Sequence, residues 1–425
     1  MKSTPSETSL SSGKKENTLS ILIHTFNLTG HVLPMQAIAK ALVARGHRVV
    51  WTTATGQEAR VLASGAEFIA TNKVDFCDLG LQSAVTYNEC ISALVDGRLL
   101  AQVTDFRRVL NSADLRVDCL LADAFPMGAA AMFDLGEVPM WATVGVVPMY
   151  TPQSVPKSTS TVGTIISTPE HLLPSINAQR KQLGLLDTEA KSLHYSPFLH
   201  LQASCASLEF DKNIPETTHY VGPLVAPRDQ STFTVEQSWW LEVVGHPCMV
   251  VVTQGTYAVN PSLLHVPTIE ALCNEKDLLL IVLSPLAEDI REQSIMKGVC
   301  LDSVRLATWM PYDLILPQCR LLITNGGYGS VTQALSFGVP LVCAGTTEDK
   351  KDTAARVVAA GAGIDLATDT PTRDQIKAAV RSILYDKSYK KNAQKVQVEL
   401  NVLGGSEKAC DLLVEAIAKN AQSNQ

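Results

Sequence analysis

The sequence predicts an α/β protein made of two consecutive domains, each built on an open parallel sheet. Short β-rich runs alternate with longer helical patterns, which is typical of parallel α/β architecture. This alternation pauses after Gly222 and resumes near Cys248, and the stretch 222–245 between them carries two prolines and several polar residues. A chain of 425 residues is also long for one core. A single large α/β sheet is the alternative that the pattern leaves open.

The first half contains a complete strand–helix–strand unit. An apolar run at 19–24 predicts the first strand, and the loop TFNLTGH follows it. Pro34 begins a helical pattern that ends at Gly46, a residue suited to a helix C-cap. The next strand is predicted at 48–53. Further along we expect a strand at 117–121, a helix at 129–135 and a strand at 139–144.

The second half repeats the alternation. We expect strands at 248–253, 278–283, 321–324 and 339–344, and helices at 263–274 and 331–337. The regular part of the first of these helices is expected to start at Pro267, a residue favoured at the first helical position. Open parallel sheets bind ligands at the carboxyl ends of their strands, so two such domains imply a cleft between two sets of strand ends.

These patterns divide the chain into four segments. Residues 1–17 are polar and rich in Ser and Thr, and we expect a disordered leader there. The first domain is predicted over 18–222, a linker over 223–245 and the second domain over 246–425. The extreme C-terminal helix is a candidate to pack back onto the first domain.

Composition excludes several classes of protein. The net charge of -7 and the lack of a basic stripe argue against a nucleic-acid partner. The ten cysteines are scattered singly, as expected for buried free thiols in a reducing compartment rather than for zinc ligands or disulfides. No secretory signal and no apolar run of roughly 18 residues is present. We therefore expect a cytoplasmic protein without a membrane span; its oligomeric state stays open.

A glycine-rich turn in the second half has the pattern of an anion site. Gly326, Gly327 and Gly329 stand between a strand and a helix, where backbone N–H groups and the helix dipole favour an anion. Ser330 either donates to a phosphate or simply caps the helix. Trp309 either stacks a nucleobase or belongs to the core. Polar residues after the next strand, Glu348, Asp349 and Lys350, either bind sugar hydroxyls or are solvated.

His31 and Asp123 are the candidate acid–base pair of the first half. Each follows a predicted strand, so both are expected at the edge of the sheet that faces the cleft. The ordinary pKa of histidine suits a general base, and a carboxylate on its second ring nitrogen would fix the tautomer. Helix capping is the alternative for both residues. His24, near the same strand end, is the weaker candidate base. The other histidines show no metal-ligand spacing.

Taken together, these motifs resemble the family 1 glycosyltransferases, which use UDP- or dTDP-sugars. The family signature is matched by Trp309-x-Pro311, by Thr324, Gly327 and Ser330 in the turn, by Gly338-Val339-Pro340 and by Asp349. Gly30-His31-x-x-Pro34 and Ala122-Asp123-Ala124-Phe125 resemble the motifs that carry the family's catalytic pair. The resemblance implies a GT-B fold, in which two Rossmann-like domains face each other across a cleft. The run TNGGYGS…TEDK resembles the bacterial and fungal macrolide- or phenol-type branch.

The resemblance also implies a set of donor-binding residues. Trp309 would stack on the base, the Met310 backbone would bind its edge, and Gly327, Gly329 and Ser330 would hold the diphosphate. Three residues depart from the family pattern. Asn325 replaces a phosphate-binding histidine, Gln333 replaces a ribose-binding glutamate, and Lys350 replaces a sugar-binding glutamine. Upstream, Thr253-Gln254-Gly255-Thr256 resembles a loop whose last residue faces the diphosphate, so Thr256 is a further candidate.

The implied reaction is inverting transfer of a hexose, with glucose the first expectation, from a UDP-sugar to a hydroxyl of a small lipophilic acceptor. A phenolic, polyketide or macrolide acceptor would fit this branch. The chain contains no Asp-x-Asp motif, so we expect neither a metal nor any other cofactor. Two alternatives remain: an epimerase or hydrolase of sugar nucleotides with the same fold, and a non-catalytic donor-binding protein. The absence of Gly-x-Gly-x-x-Gly after the first strand argues against a nicotinamide dehydrogenase.

Overall fold

A computed structural model describes residues 18–83, 87–150, 171–189, 194–210, 214–226, 238–255 and 260–423 of the chain. The leader 1–17, residues 227–237 of the predicted linker and Thr256 lie outside these residues. Two separate parallel sheets organise the rest.

The first sheet has seven strands in the order β3-β2-β1-β4-β5-β6-β7. Its strands are β1 Ser20–His24, β2 Arg48–Thr53, β3 Glu67–Ala70, β4 Cys119–Ala122, β5 Trp141–Gly145, β6 His200–Gln202 and β7 Thr218–Tyr220. The strand order reverses between β1 and β4, which pair in parallel with His24 opposite Ala122. A crevice opens at such a reversal, so residues that directly follow these two strands are placed side by side.

Seven helices accompany this sheet among the described residues. They are α1 Thr29–Ala44, α2 Glu58–Leu62, α3 Val74–Ser83, α4 Tyr87–Val95, α5 Arg98–Ser112, α6 Met127–Asp134 and α7 Leu173–Gln182. Apolar residues of α1 and α2 bury one face of the sheet. Apolar residues of α4, α5, α6 and α7 bury the other face. The strands are therefore covered on both sides, as the near-continuous apolar sequences of β1 and β4 require.

The second sheet has six strands in the order β10-β9-β8-β11-β12-β13. Its strands are β8 Met249–Thr253, β9 Leu279–Leu283, β10 Val304–Ala307, β11 Cys319–Thr324, β12 Leu341–Cys343 and β13 Gly363–Asp365. The order reverses between β8 and β11, whose last residues Thr253 and Thr324 are paired. The glycine-rich turn leaves this sheet at that reversal.

Helices of the second half follow in chain order. They are α8 Trp240–Val243, α9 His265–Leu272, α10 Ala287–Met296, α11 Tyr312–Ile315, α12 Tyr328–Ser336, α13 Lys350–Ala359, α14 Arg373–Tyr385, α15 Lys387–Asn401 and α16 Gly405–Ser423. Two apolar clusters, one on each face of the sheet, form the core of this half.

The last helix returns to the first half. Ala409, Cys410 and Leu413 of α16 are buried in the same apolar cluster as α1. At the surface, Arg45 at the end of α1 donates to Glu407 and Asp411 with N–O distances of 2.7 and 2.6 Å. The chain thus crosses between the halves a second time.

Four helices begin earlier than the sequence pattern predicts. The helix predicted from 129 starts at Met127 as α6, and α9 starts at His265, so Pro267 is its third residue rather than its first. We expected the first helix from Pro34, but α1 starts at Thr29, so His31 lies in its first turn. We expected the helix of the glycine-rich turn from Val331, but α12 starts at Tyr328, so Gly329 and Ser330 are helical. Helix starts escape prediction because the first turn needs no apolar periodicity and N–H groups there have no intrahelical acceptor.

The nine cysteines whose side chains the structure describes are free thiols. Most of them are buried, among them Cys119 and Cys343 in the middle of the two sheets. None of the helices described is both long enough and apolar enough to cross a bilayer.

Candidate active site

His31 and Asp123 meet where the strand order of the first sheet reverses. His31 Nδ1 lies 2.8 Å from Asp123 Oδ2, although 92 residues separate them in the sequence. The Asp123 side chain is fully buried, whereas 16% of the His31 side chain is exposed. The carboxylate therefore anchors one ring nitrogen inside the protein. Among the described residues, none is hydrogen-bonded to Nε2, the nitrogen that remains to take a proton.

A backbone group holds Asp123 in place. The N–H of Phe26, in the loop after β1, donates to the Asp123 carboxylate, with N–O distances of 3.2 Å to Oδ1 and 3.1 Å to Oδ2. The Phe26 ring also packs against the His31 imidazole, with centroids 5.5 Å apart. Phe125, two residues after Asp123, adopts a positive φ of 55°. Such a conformation is unfavourable for a bulky residue and is found mainly where the surrounding structure enforces it.

The pKa of His31 is raised above its ordinary value. Burial alone would lower it, but the hydrogen bond to Asp123 and the charge of that carboxylate outweigh burial. Asp349 of the second half and Asp78 of the first raise the pKa of His31 further. Charged groups of both halves therefore act on the pKa of His31.

The other candidate base, His24, lies in a different environment. Its side chain is buried, its Nδ1 is 3.1 Å from the carbonyl oxygen of Thr52, and its ring packs edge-on against Phe106 at 5.0 Å. Burial lowers the pKa of His24. This is the environment of a core histidine rather than of a residue that exchanges protons with a ligand.

A cavity begins at Asp123 and extends along the ends of β5 and β6. Its wall includes the aromatic rings of Phe125, Tyr150, His194 and Tyr195, and the polar side chains of His200 and Gln202. Two other aromatic residues of the first half lie elsewhere: Phe106 is in the core and Phe76 is exposed on α3. A flat apolar molecule with a hydroxyl near His31 would suit this wall.

The start of α12 has the features of an anion site. The N–H groups of Tyr328, Gly329 and Ser330 form the first turn and have no acceptor within the helix. No side chain of the described residues caps this helix. Gly327 precedes it, and a Cβ atom added at Gly329 would meet no atom within 4 Å. The first turn is thus open to a ligand, and the helix dipole favours a phosphate there.

Ser330 and Gln333 lie on this helix and already have partners. Ser330 Oγ is 3.2 Å from the Tyr312 hydroxyl. Gln333 Nε2 donates to the Gly329 carbonyl oxygen, 3.2 Å away. Each side chain retains further hydrogen-bonding capacity. Their contacts with a diphosphate and a ribose remain predictions.

Asn325 connects the two loops at the reversal of the second sheet. Its Nδ2 donates to the carbonyl oxygen of Gln254, 2.5 Å away, and its Oδ1 accepts from the N–H of Gly327 at 3.4 Å. Gly345 packs against the same loop, where a Cβ atom would lie 2.1 Å from the Asn325 carbonyl oxygen. Gly345 occurs in none of the sequence motifs, although a glycine directly after a predicted strand could have indicated a residue of this loop. A phosphate contact by Asn325 remains a prediction.

Trp309 and Met310 follow β10 at the same edge of the sheet. The Trp309 side chain is 63% exposed, which is unusual for so large an apolar group. Met310 is buried in the core of the second half, and a contact of its backbone with a base remains a prediction. An exposed indole beside an anion site has the geometry of a stacking surface for a base.

Asp349 and Lys350 lie at the start of α13. Asp349 is partly buried, and burial raises its pKa to about 6, against the opposing effects of Lys350 and His31. Lys350 is buried, and its ammonium donates to Thr347 Oγ1 at 2.7 Å and to the carboxylate of Glu348. The charge of Lys350 is therefore already paired. A sugar contact by either residue remains a prediction.

Buried polar residues between the halves were not predicted. Glu209, Gln202, Tyr328 and Arg356 are joined by hydrogen bonds across the interface. Tyr328 belongs to the glycine-rich turn, but Glu209, Gln202 and Arg356 occur in none of the motifs, and Glu209 and Arg356 are 147 positions apart in the sequence. No local pattern signals such a contact.

Comparisons with known proteins agree with this fold. Residues 286–403 match the family described as Erythromycin biosynthesis protein CIII-like, C-terminal domain. UDP-glucosyltransferase A1 of Starmerella bombicola is 29% identical, and the match covers 93% of this chain and 90% of that protein. The 4'-demethylrebeccamycin synthase of Lentzea aerocolonigenes is 27% identical, over 92% and 98% of the two chains.

Solved structures share the two-domain fold. The glycosyltransferase of kitacinnamycin superposes with a TM-score of 0.77 at 20% identity, over 95% of this chain and all of that one. The spinosyn rhamnosyltransferase in complex with thymidine diphosphate has a TM-score of 0.69 at 18% identity, over 93% and 100% of the two chains. The two sheets and these likenesses define a GT-B fold. Relatives named UDP-glucosyltransferase, which the chain resembles over most of its length, support a UDP-glycosyltransferase, as the motifs predicted.

Proposed function

We propose that the chain catalyses inverting, metal-independent transfer of glucose from UDP-glucose to a hydroxyl of a flat, lipophilic acceptor. The arrangement of His31 and Asp123 carries this proposal. An imidazole with one nitrogen held 2.8 Å from a buried carboxylate and the other unpaired among the described residues has the form of a general base.

In the proposed step, His31 Nε2 accepts the proton of the acceptor hydroxyl. The acceptor oxygen bonds to the anomeric carbon as the bond from that carbon to the β-phosphate oxygen breaks, and UDP leaves with the electron pair. Attack opposite the leaving group inverts the anomeric centre. Asp123 stabilises the imidazolium that forms and keeps Nδ1 protonated.

The start of α12 is proposed to receive the leaving diphosphate. Its three N–H groups and the helix dipole stabilise the negative charge that develops on the phosphate oxygens. This charge stabilisation comes from the protein itself, which supports a reaction without a metal. Trp309 supports binding of the base and Asp349 binding of the sugar hydroxyls.

The cavity beside Asp123 is proposed to bind the acceptor. Its aromatic wall favours a planar apolar molecule, and its position brings a hydroxyl of that molecule to His31. Relatives named UDP-glucosyltransferase support UDP-glucose as the donor.

The proposal is tested by incubating the purified chain with UDP-glucose, UDP-galactose or dTDP-glucose and a panel of phenols, polyketides and macrolides. We expect a mass increase of one hexose on a phenolic or polyketide member, most rapidly with UDP-glucose, and an unchanged rate after metal chelation. Proton NMR of the product is expected to show a β-glucoside, since UDP-glucose is an α-glycoside. Free glucose released at the same rate without acceptor would instead indicate a hydrolase.

A further inference from the structure

A buried ion pair joins the two halves of the molecule beside the donor helix. Glu209, from the chain after β6, has a fully buried side chain. Its Oε2 accepts from Arg356 Nε of α13 at 2.9 Å and from the N–H of Met149 at 3.1 Å. Its Oε1 accepts from the Tyr328 hydroxyl at 2.6 Å. Tyr328 is the first residue of α12, the helix whose first turn is the anion site.

The Arg356 guanidinium is also held from both sides. Another nitrogen of the guanidinium donates to the carbonyl oxygen of Met149 at 2.8 Å. The guanidinium also stacks on the Phe210 ring, with the Arg356 Cζ atom 4.6 Å from the ring centroid. Met149, Glu209 and Phe210 belong to the first half, whereas Arg356 and Tyr328 belong to the second. Two charges buried to this extent keep one geometry, because leaving either of them unpaired in the interior would strongly destabilise the folded state.

A chain of hydrogen bonds continues from Tyr328 into the acceptor cavity. Gln202 Nε2 donates to the Tyr328 hydroxyl at 2.8 Å, and Gln202 Oε1 lies 3.0 Å from His200 Nε2. His200 Nδ1 lies 2.8 Å from Thr143 Oγ1. His200 and Gln202 both line the cavity.

The direction of each hydrogen bond in this series is defined. Burial lowers the pKa of His200 to about 4, so the ring is neutral at physiological pH. Because Gln202 Oε1 can only accept, His200 donates from Nε2 and accepts from the Thr143 hydroxyl at Nδ1. Burial and the charge of Glu209 raise the pKa of Tyr328 well above its ordinary value, so its hydroxyl donates to the carboxylate. The bonds therefore run from Thr143 to Glu209 and strengthen one another.

The space for this chain depends on Gly145 at the end of β5. A Cβ atom there would lie 1.9 Å from Gln202 Oε1 and 2.9 Å from His200 Nε2. Only a glycine leaves room for both side chains. The contact between Gln202 and Tyr328 is thus built into the wall of the cavity.

We infer that Tyr328 is a positioning residue, which fixes the diphosphate-binding turn of α12 against the acceptor cavity through Glu209 and Gln202. This inference rests on the proposed function. Its reason is geometric: the N–H groups that receive the leaving diphosphate begin at Tyr328, and the hydroxyl of the same residue is bonded to the cavity wall. Transfer between the two sites requires their separation to be correct within a fraction of an ångström.

Replacing Tyr328 with Phe tests this, because the substitution removes the hydroxyl and keeps the ring. With UDP-glucose and the flat polyphenol quercetin, or the best acceptor of the panel, we expect kcat to fall about 10- to 100-fold. UDP affinity, measured by calorimetry, should stay within about 3-fold of wild type, because the N–H groups remain. Tyr389→Phe, at a partly buried tyrosine of α15, is the matched control and should leave kcat unchanged.

Glu209→Gln provides a second variant and a double-mutant cycle. If Tyr328 acts through Glu209, Tyr328→Phe and Glu209→Gln together should lower kcat by no more than the larger single effect. All assays are run at temperatures where thermal melting shows each variant folded, so that a purely structural loss does not register in kcat. Wild-type kcat in Tyr328→Phe, additive losses in the double variant, or a loss confined to UDP affinity would overturn the inference. A wild-type chain that binds UDP but transfers no sugar would overturn the proposed function as well.

Discussion

His31 Nδ1 and Asp123 Oδ2 lie 2.8 Å apart because the loops after β1 and β4 leave the first sheet at the reversal of its strand order. The buried carboxylate fixes the imidazole, and the partly exposed ring directs its other nitrogen toward the cleft. Asp349 of the second half acts electrostatically on the same imidazole. This relationship links the proposed base to the proposed donor site.

Asp123→Asn should lower kcat by about 100- to 10,000-fold, because the amide neither stabilises the imidazolium nor enforces the required tautomer. UDP affinity should be retained, since Asp123 lies in the first half. Calorimetry with UDP and initial rates with UDP-glucose measure the two effects. A variant that keeps its turnover would show that the carboxylate only caps the loop at Phe26.

The rate should rise with pH through a pKa above 6.5. His31 must be neutral to accept a proton, and Asp123 and Asp349 raise its pKa, so the protonated, inactive form persists to higher pH. Because this pKa is raised on folding, the stability contributed by the His31–Asp123 pair is present at low pH and is lost as pH rises through that pKa. A profile of kcat/KM against pH measures whether the rate rises through this raised pKa. Its rising limb should move to lower pH in Asp123→Asn, and an unmoved limb would assign it to another group.

Trp309→Ala should weaken UDP binding by about 10- to 100-fold, because stacking on a base contributes about 1–3 kcal/mol. Trp309→Phe should recover part of this affinity. Since the indole is 63% exposed, the melting temperature should change little. Tyr385→Ala, at another exposed aromatic residue, is the matched control and should leave UDP affinity unaltered. If Trp309→Ala and Trp309→Phe bound UDP as tightly as the control Tyr385→Ala, Trp309 would not belong to the donor site.

Two glycine variants distinguish loop packing from ligand access. Gly345→Ala should lower both stability and UDP affinity, because its Cβ would lie 2.1 Å from the Asn325 carbonyl oxygen. Gly329→Ala meets no protein atom within 4 Å, so the fold should be retained. A methyl group on the first turn of α12 should nevertheless weaken UDP binding. Thermal melting and calorimetry separate the two effects, and normal UDP binding in Gly329→Ala would place the diphosphate elsewhere.

The sequence predicted the architecture well because apolar runs and glycine-bearing turns are local signals. The second strand, Arg48–Thr53, was predicted to the residue, and the family and the GT-B fold are confirmed. Helix starts were less accurate, since the first turns of α1 and α12 precede the apolar periodicity. The meeting of His31 with Asp123 followed from strand-end positions. The contacts of Lys350 with Glu348 and of Asn325 with Gln254 did not, because side-chain direction depends on packing.

The contacts between the halves were beyond sequence reasoning for a different reason. Tyr328 belongs to a recognised turn, but its partner Glu209 lies 119 positions away in a segment without a motif. A tyrosine beside glycines predicts flexibility and a ligand, not a buried carboxylate from another sheet. Only the assembled fold reveals that the donor helix and the acceptor cavity share a polar contact.

The central claim is that His31 is the general base of glucosyl transfer, and the most direct test compares His31→Ala with wild type. The account predicts that turnover with UDP-glucose falls about 100- to 10,000-fold while UDP affinity, measured by calorimetry, stays within about 3-fold. His219→Ala, at an exposed histidine on β7, serves as the matched control and should behave as wild type. Turnover retained in a folded His31→Ala variant would contradict the account.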